Sequence, residues 1–388
     1  MKDHEPVIAV AEDRGATRRH SRLRQLNDLG QSVWIDYLSR DLLQSGELAR
    51  LIEEDAVVGV TSNPTIFQKA ISSGSAYDAQ LQEVPARTDL KSVFYELVAR
   101  DVTAASDVLL PIWERTNGLD GYVSWEIDPD LADDRTSSYE EAQRLHSWID
   151  RPNLYVKIPA TSAGVGAIED MIAAGKNINV TLIFSLQRYR EVVEAYISGL
   201  ERLLADGGDR SEVHSVASFF VSRVDTETDE RLDSIGGAAE LKGKLAIANA
   251  RLAYQHYLEA FSTPRWERLA RKGATRQRCL WASTSTKNPA YADVMYVESL
   301  IGPETVNTMP EDTIRAFQDH GRVAETLTRG VGEAQHLLEE LQVVGVNYDD
   351  VVETLEREGI AKFSASFASI LDGVHTKRGA LVTEGRQG

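Results

Sequence analysis

The chain has 388 residues, 42% hydrophobic and 7% aromatic, enough apolar side chain for a sizeable core and incompatible with a disordered polymer. A formal net charge of −18 excludes binding to nucleic acid or an anionic membrane through a general basic field, so any phosphate must be held by a few local cations. The only cysteine, Cys279, excludes an internal disulfide framework and suits a reducing cytoplasm, and no apolar run approaches the roughly 20 residues of a membrane helix.

Residues 1–22 are polar, too acidic for a signal peptide, and read as mobile; the tail TKRGALVTEGRQG, 376–388, reads the same way. Between them, 23–375 reads as one catalytic domain. Short runs rich in β-branched and aromatic residues predict strands at 32–38, 56–62, 121–127, 153–159, 177–184, 214–222, 278–284 and 304–309. Helical periodicity fills the intervals. In 89–110, Val93, Phe94, Leu97, Val98 and Val102 recur at three- and four-residue steps. The stretch from Ser185 to Gly208 opens on a capping serine and closes on a glycine pair. Eight strands alternating with helices predict a single closed (β/α)8 barrel of the TIM type, ahead of a doubly wound open sheet. The surplus length predicts extra helices: an N-terminal lead-in, an insertion at 226–277 and two terminal helices after residue 331.

Side chains on a strand alternate faces, so parity sorts lumen from outer layer. In YVKIP, Val156 and Ile158 face the helices and Lys157 faces inward. The same rule sends Asp36, Gly59, Thr61, Asn63, Ser124, Glu126, Asp128, Asn179, Thr181, Val216, Ser218 and Phe220 inward. Of eleven lysines, only Lys157 sits in mid-strand between apolar neighbours, where an ammonium costs several kcal/mol to desolvate. A poorly hydrated lysine inside a barrel is expected to release its proton and attack a ketone, forming an imine. A carboxylate must then take a proton from the departing fragment, and another group must manage the water of imine formation. Asp36 and Glu126 can share these duties, with Thr181 holding the water and Asn63 steadying the intermediate. Bland alternatives stand beside these roles: Lys157 snorkelling from a strand end, Glu126 as a paired core carboxylate, Asp36 as a turn residue, Arg223–Asp225 as a surface salt bridge, Lys287 as a solvated loop residue. The glycines of AGVGA (163–167) lack a full dinucleotide fingerprint, the eight histidines show no zinc spacing, and Cys279 reads as a small core residue.

In order and spacing, GVTSNPTIF, SWEIDP, VKIPAT, NVTLIFS and ASFFVSRVD resemble the transaldolases over about residues 25–375, and the length resembles the longer bacterial branch of that family. The resemblance implies a metal-free, cofactor-free Schiff-base enzyme of the pentose phosphate pathway, in the cytoplasm and by analogy a homodimer. It would move a dihydroxyacetone unit from sedoheptulose 7-phosphate to glyceraldehyde 3-phosphate, giving erythrose 4-phosphate and fructose 6-phosphate. Lys157 matches the imine-forming lysine, Asp36 the acid/base aspartate, and Glu126 with Thr181 the pair that positions the catalytic water. Asn63, Asn179 and Ser218 match residues that bind the dihydroxyacetone unit, and Arg223 matches the phosphate-binding arginine. After the seventh strand, where the family's best-known members place a second arginine, this chain offers Ser285 and Lys287. Related fructose-6-phosphate aldolases carry glutamine at the position of Glu126 and tyrosine at that of Phe220, so this pair implies transfer ahead of lysis. A lyase of that kind, or a catalytically silent barrel serving as an interaction protein, are the other readings.

Overall fold

The computed structural model describes residues 21–62, 64–85 and 87–384. Its centre is a closed barrel of eight parallel strands in sequence order: β1 (Gln31–Ile35), β2 (Val57–Thr61), β3 (Tyr122–Glu126), β4 (Leu154–Pro159), β5 (Ile178–Ile183), β6 (Ser215–Phe220), β7 (Arg278–Ala282) and β8 (Thr305–Met309). Each expected strand is present within three residues of its expected ends. Parity sorts their side chains as anticipated. Val33, Ile35, Val123, Trp125, Val156 and Ile158 join the apolar layer under the helices, whereas Trp34, Tyr122, Tyr155, Val216, Leu280 and Val306 form a separate cluster in the lumen.

That inner cluster closes the lower half of the barrel. Tyr122 and Tyr155 stack at 4.0 Å, and Trp34 stacks on Tyr155 at 6.0 Å. Beneath them a buried pair, Arg278 to Asp120 at 2.9 Å, is completed by Ser32 and by the Trp34 indole N–H. Gly59 is needed here. A Cβ at that position would lie 2.4 Å from the Trp34 ring. With the floor closed by aromatics and this buried pair, the open part of the lumen lies at the C-terminal ends of the strands, the face on which barrel sites are built.

The long helix Leu90–Arg115 starts where Asp89 accepts a hydrogen bond from Ser92 N–H, and Leu186–Ala205 where Ser185 accepts from Arg188 N–H, both at 2.9 Å. The 226–277 insertion forms the end of helix Ser222–Ile235, helix Leu245–Ala260 and helix Pro264–Ala270, in the outer layer behind β6 and β7. What crosses the barrel mouth is the C-terminal helix, Tyr348–Glu384, packed on helices Pro64–Ser73, Leu90–Arg115 and Ser222–Ile235.

Three expectations need correction. In the tail, residues 376–384 continue the C-terminal helix, where Lys377 reaches the carbonyl of Gly74 and the carboxylate of Asp78, and Arg378 the carbonyls of Thr88 and Pro85; residues 385–388 lie outside the described residues. At the other end, Ser21 caps and Arg22 opens a helix, Arg22–Asp28, so these two residues belong to the fold; residues 1–20 lie outside the described residues. Asp128 does not face the lumen. Pro129 ends strand alternation there, and Asp128 caps the turn Pro129–Leu131 and pairs with Lys91 outside the barrel. Among the described residues no helix is long and apolar enough to cross a membrane.

Candidate active site

The catalytic candidates converge on one cavity of about 280 Å³ at the C-terminal end of the barrel. β4 carries Lys157 into it, 7% exposed, and the register β3–β4 places Glu126 directly beside Lys157. Lys157 Nζ makes a very short contact with Glu126 Oε1 and lies 3.4 Å from the carbonyl of Ser62. The lysine is therefore neither snorkelling nor alone: its side chain is buried, with one carboxylate pressed against its amine. Glu126 is the nearest proton acceptor for the amine, a role that a general base beside a nucleophile must fill.

Asp36, at the end of β1, is half-buried on the cavity wall. Thr61 Oγ donates to its Oδ1 at 2.9 Å, and since a threonine has a single proton, the 2.7 Å contact between Thr61 and Thr308 is donated by Thr308. This relay from β8 through β2 holds one carboxylate oxygen of Asp36 at the cavity wall. Neither threonine was singled out from the sequence, although Thr61 had been placed on the inner face. Thr181 is 3% exposed and lines the cavity, as does Ser218. Asn179 sits a layer deeper. It is fully buried, accepts from Ser218 Oγ at 2.6 Å and donates to Ser124 Oγ at 3.0 Å, so its amide orients Ser218 from behind the cavity wall. Asn63 lies outside the described residues.

The cavity's outer half is cationic. Arg223, second residue of helix Ser222–Ile235, lies over the Phe220 ring at 5.3 Å. Among the described residues its guanidinium makes no hydrogen bond or ion pair. Burial holds Arg223 below the usual arginine range, opposed by Asp36 and Glu358. Lys287 donates to Ser285 Oγ at 2.7 Å; partial burial and the neighbouring Arg223 lower its pKa, and Asp36 opposes them. Lys287 lines the cavity mouth while remaining exposed on its loop. Chain direction at this rim is set by two non-glycine residues in the left-handed region, Leu182 (φ 57°) after the inner part of β5 and Ser283 (φ 57°) after β7. Both line the cavity.

The sequence reading missed one wall altogether. Gly359, Lys362, Phe363 and Ser366 of the C-terminal helix roof the cavity. Their spacing marks a single helical face, but nothing local says what that face covers. Gly359 fits because a Cβ there would stand 3.2 Å from the Phe184 ring. Arg223 and Asp225 do not pair with each other. Asp225 is 1% exposed and bonds instead to Ala246 N–H and Tyr296 OH. Cys279 is buried against Tyr189 OH, its thiol pushed up to about 12 by burial, as expected of a core residue. Among the described residues no group of three His, Cys, Asp or Glu side chains could hold a metal ion.

An interior lysine against one carboxylate, a second carboxylate held by a hydroxyl relay, and cations around the mouth stand together on the face where (β/α)8-barrel enzymes carry their sites. Comparison with known proteins gives the family. The model of the Transaldolase/Fructose-6-phosphate aldolase family matches residues 33–374, and the chain belongs to that family. It is 51% identical over 355 residues to a transaldolase of Acidothermus cellulolyticus, covering 91% of this chain and 95% of that one. It is 50% identical over 360 residues to a transaldolase of Mycobacterium tuberculosis (92% and 96%) and 50% identical over 367 residues to one of Frankia alni (94% and 99%).

Proposed function

We propose that this chain is a transaldolase, transferring a dihydroxyacetone unit between sugar phosphates through an imine on Lys157. The observation that carries the reading is Lys157 Nζ, 7% exposed in the lumen and in contact with Glu126. Glu126 takes a proton from the ammonium, and the freed amine attacks the keto carbon of sedoheptulose 7-phosphate. The carbinolamine loses water, which leaves with a proton from Glu126 and is held by Thr181, giving a protonated imine. Asp36 removes the proton of the hydroxyl one carbon beyond the imine's neighbour. The bond between those two carbons breaks, its electrons pass to the imine as an enamine, and erythrose 4-phosphate departs. Glyceraldehyde 3-phosphate then accepts the three-carbon unit: the enamine carbon bonds its aldehyde carbon, Asp36 returns the proton to the new hydroxyl, and water releases fructose 6-phosphate. Ser218, oriented by Asn179, holds the hydroxyls of the bound unit, and Arg223, Ser285 and Lys287 hold the phosphate. Because the chain is strongly acidic overall, these local cations are what admits a phosphorylated substrate. The single buried cysteine favours a cytoplasmic setting.

The test is borohydride trapping with fructose 6-phosphate followed by peptide mass spectrometry. The expected result is a three-carbon adduct on Lys157 and transfer that depends on added erythrose 4-phosphate. An adduct on another residue, or none, refutes the lysine assignment. Release of free dihydroxyacetone at the same rate without an acceptor makes the enzyme a lyase instead.

A further inference from the structure

Two buried carboxylates outside the cavity repeat one pattern. Asp225 and Asp229 stand one turn apart on helix Ser222–Ile235, the helix whose second residue is Arg223, and they are 1% and 7% exposed. Each uses one oxygen to hold the chain leading into helix Leu245–Ala260: Asp225 Oδ1 accepts from Ala246 N–H at 2.7 Å, and Asp229 Oδ1 from Gly243 N–H at 3.0 Å. Each uses the other oxygen to hold the segment after β7: Asp225 Oδ2 accepts from Tyr296 OH at 2.8 Å, and Asp229 Oδ2 from Tyr291 OH at 2.5 Å. That segment carries Ser285 and Lys287. The Tyr291 ring is pressed on Gly243, where a Cβ would lie 2.7 Å from Tyr291 Cζ, and Asn288, next to Lys287, accepts from Ala290 N–H through its side chain and from Tyr291 N–H through its carbonyl. Neither carboxylate has an ion pair with a cation among the described residues. Capping one helix would need only one oxygen from one aspartate; this arrangement ties three chain segments together.

We propose that Asp225, Asp229, Tyr291 and Tyr296 form a bracket that sets the spacing of Lys287 from Arg223, making the two tyrosines positioning residues for recognition of the substrate phosphate. The proposal rests on the reading of Arg223 and Lys287 as the phosphate subsite. Burial and the adjoining carboxylates push both tyrosines well above the usual phenol range, so their hydroxyls remain donors throughout the working pH range. Without those hydroxyls the far part of the segment after β7 is released from the Arg223 helix and only the bonds between Ser283 and Ser222 at its start remain, while Lys157 and Glu126, on β4 and β3, and Asp36, just after β1, keep their places.

The experiment compares two donors, fructose 6-phosphate and unphosphorylated fructose, by the rate of borohydride-trapped adduct on the full chain, in the parent, Tyr291→Phe, Tyr291→Phe/Tyr296→Phe, and Arg223→Ala. Half-saturation by fructose 6-phosphate is expected to rise about tenfold in the double variant as Lys287 shifts away from Arg223, with trapping efficiency for fructose unchanged. Tyr291→Phe, at a partly exposed position, is expected to give a smaller rise of the same kind and keeps the test decisive should the double variant fold poorly. Equal loss with both donors, or no change with either, overturns the bracket. If Arg223→Ala abolishes the preference for the phosphorylated donor and the tyrosine variants do not, only the bracket falls. If Arg223→Ala leaves the preference intact, the phosphate subsite itself is wrong and the bracket falls with it.

Discussion

Replacing Lys157 with methionine tests the centre of the site through stability as well as activity. Methionine keeps the length and unbranched shape of the lysine stem, and such volume-conserving changes in a packed interior cost less than about 1.5 kcal/mol by themselves. What it removes is the ammonium facing Glu126. The two side chains are 8% and 14% exposed, so water cannot replace the lost partner for most of the carboxylate surface. Breaking a buried pair by deleting one member costs about 3–5 kcal/mol. Because Glu126 keeps a small exposed edge and can take up a proton, the lower end of that range is expected for Lys157→Met. Adding Glu126→Gln removes the stranded charge, so the double variant should recover about 2 kcal/mol. Urea unfolding of all four members of the cycle at neutral pH, followed by tryptophan fluorescence and circular dichroism, measures this coupling from the midpoints at constant slope. Both Met variants should also lose the trapped adduct. If Lys157→Met is as stable as the parent and the two substitutions are additive, the pair is not buried as described, and the account of how Lys157 is deprotonated fails with it.

Gly59→Ala should destabilise by more than the about 1–3 kcal/mol usual for overpacking, since the added methyl meets a Trp34 ring pinned by Tyr155 and Asp120; an unchanged thermal midpoint would contradict the packing of the barrel floor. Phe220→Tyr, placed between Phe184 and Arg223 on the cavity wall, should raise release of free dihydroxyacetone from fructose 6-phosphate, more so with Glu126→Gln; unchanged release in an enzymatic assay would remove the reason for preferring transfer to lysis. His146 and His214 are both held down to about 4, chiefly by burial. Between pH 6.5 and 4 the unfolded chain binds protons that the folded chain refuses, so each histidine contributes stability that is complete above 6.5 and is lost as pH falls, on the order of 3 kcal/mol in full. His146→Gln, which keeps a donor for the carbonyl of Asn177, should flatten the decline of the urea midpoint over that interval; an identical slope in the variant would show that His146 is not buried neutral.

Strand positions and the inward face of each strand were legible from residue type, because alternation along a strand is a local property with a period of two. Lys157 stood out for the same reason: a charge in a run of β-branched and aromatic residues conflicts with its surroundings whatever the rest of the chain does. Asp36, Glu126, Thr181 and Ser218 followed by counting, and the structure brings them to one cavity with Phe220, Arg223, Ser285 and Lys287. Counting failed at Asp128, where Pro129 ends the strand and with it the alternation.

Depth, partnership and roof were decided only by the tertiary structure. Parity puts Asn179 and Thr181 on one face, yet the barrel's stagger leaves one behind the wall and the other on it. The pairing of Lys157 with Glu126 depends on the register between β3 and β4, which no single strand specifies. The face formed by Gly359, Lys362, Phe363 and Ser366 is visible in the helical period, but its place over the mouth comes from packing against helices that begin as early as residue 64. Periodicity is encoded in neighbouring residues and can be read one segment at a time; the meeting of distant segments is set by the burial of the whole chain, and there the site acquires its ion pair, its cations and its cover.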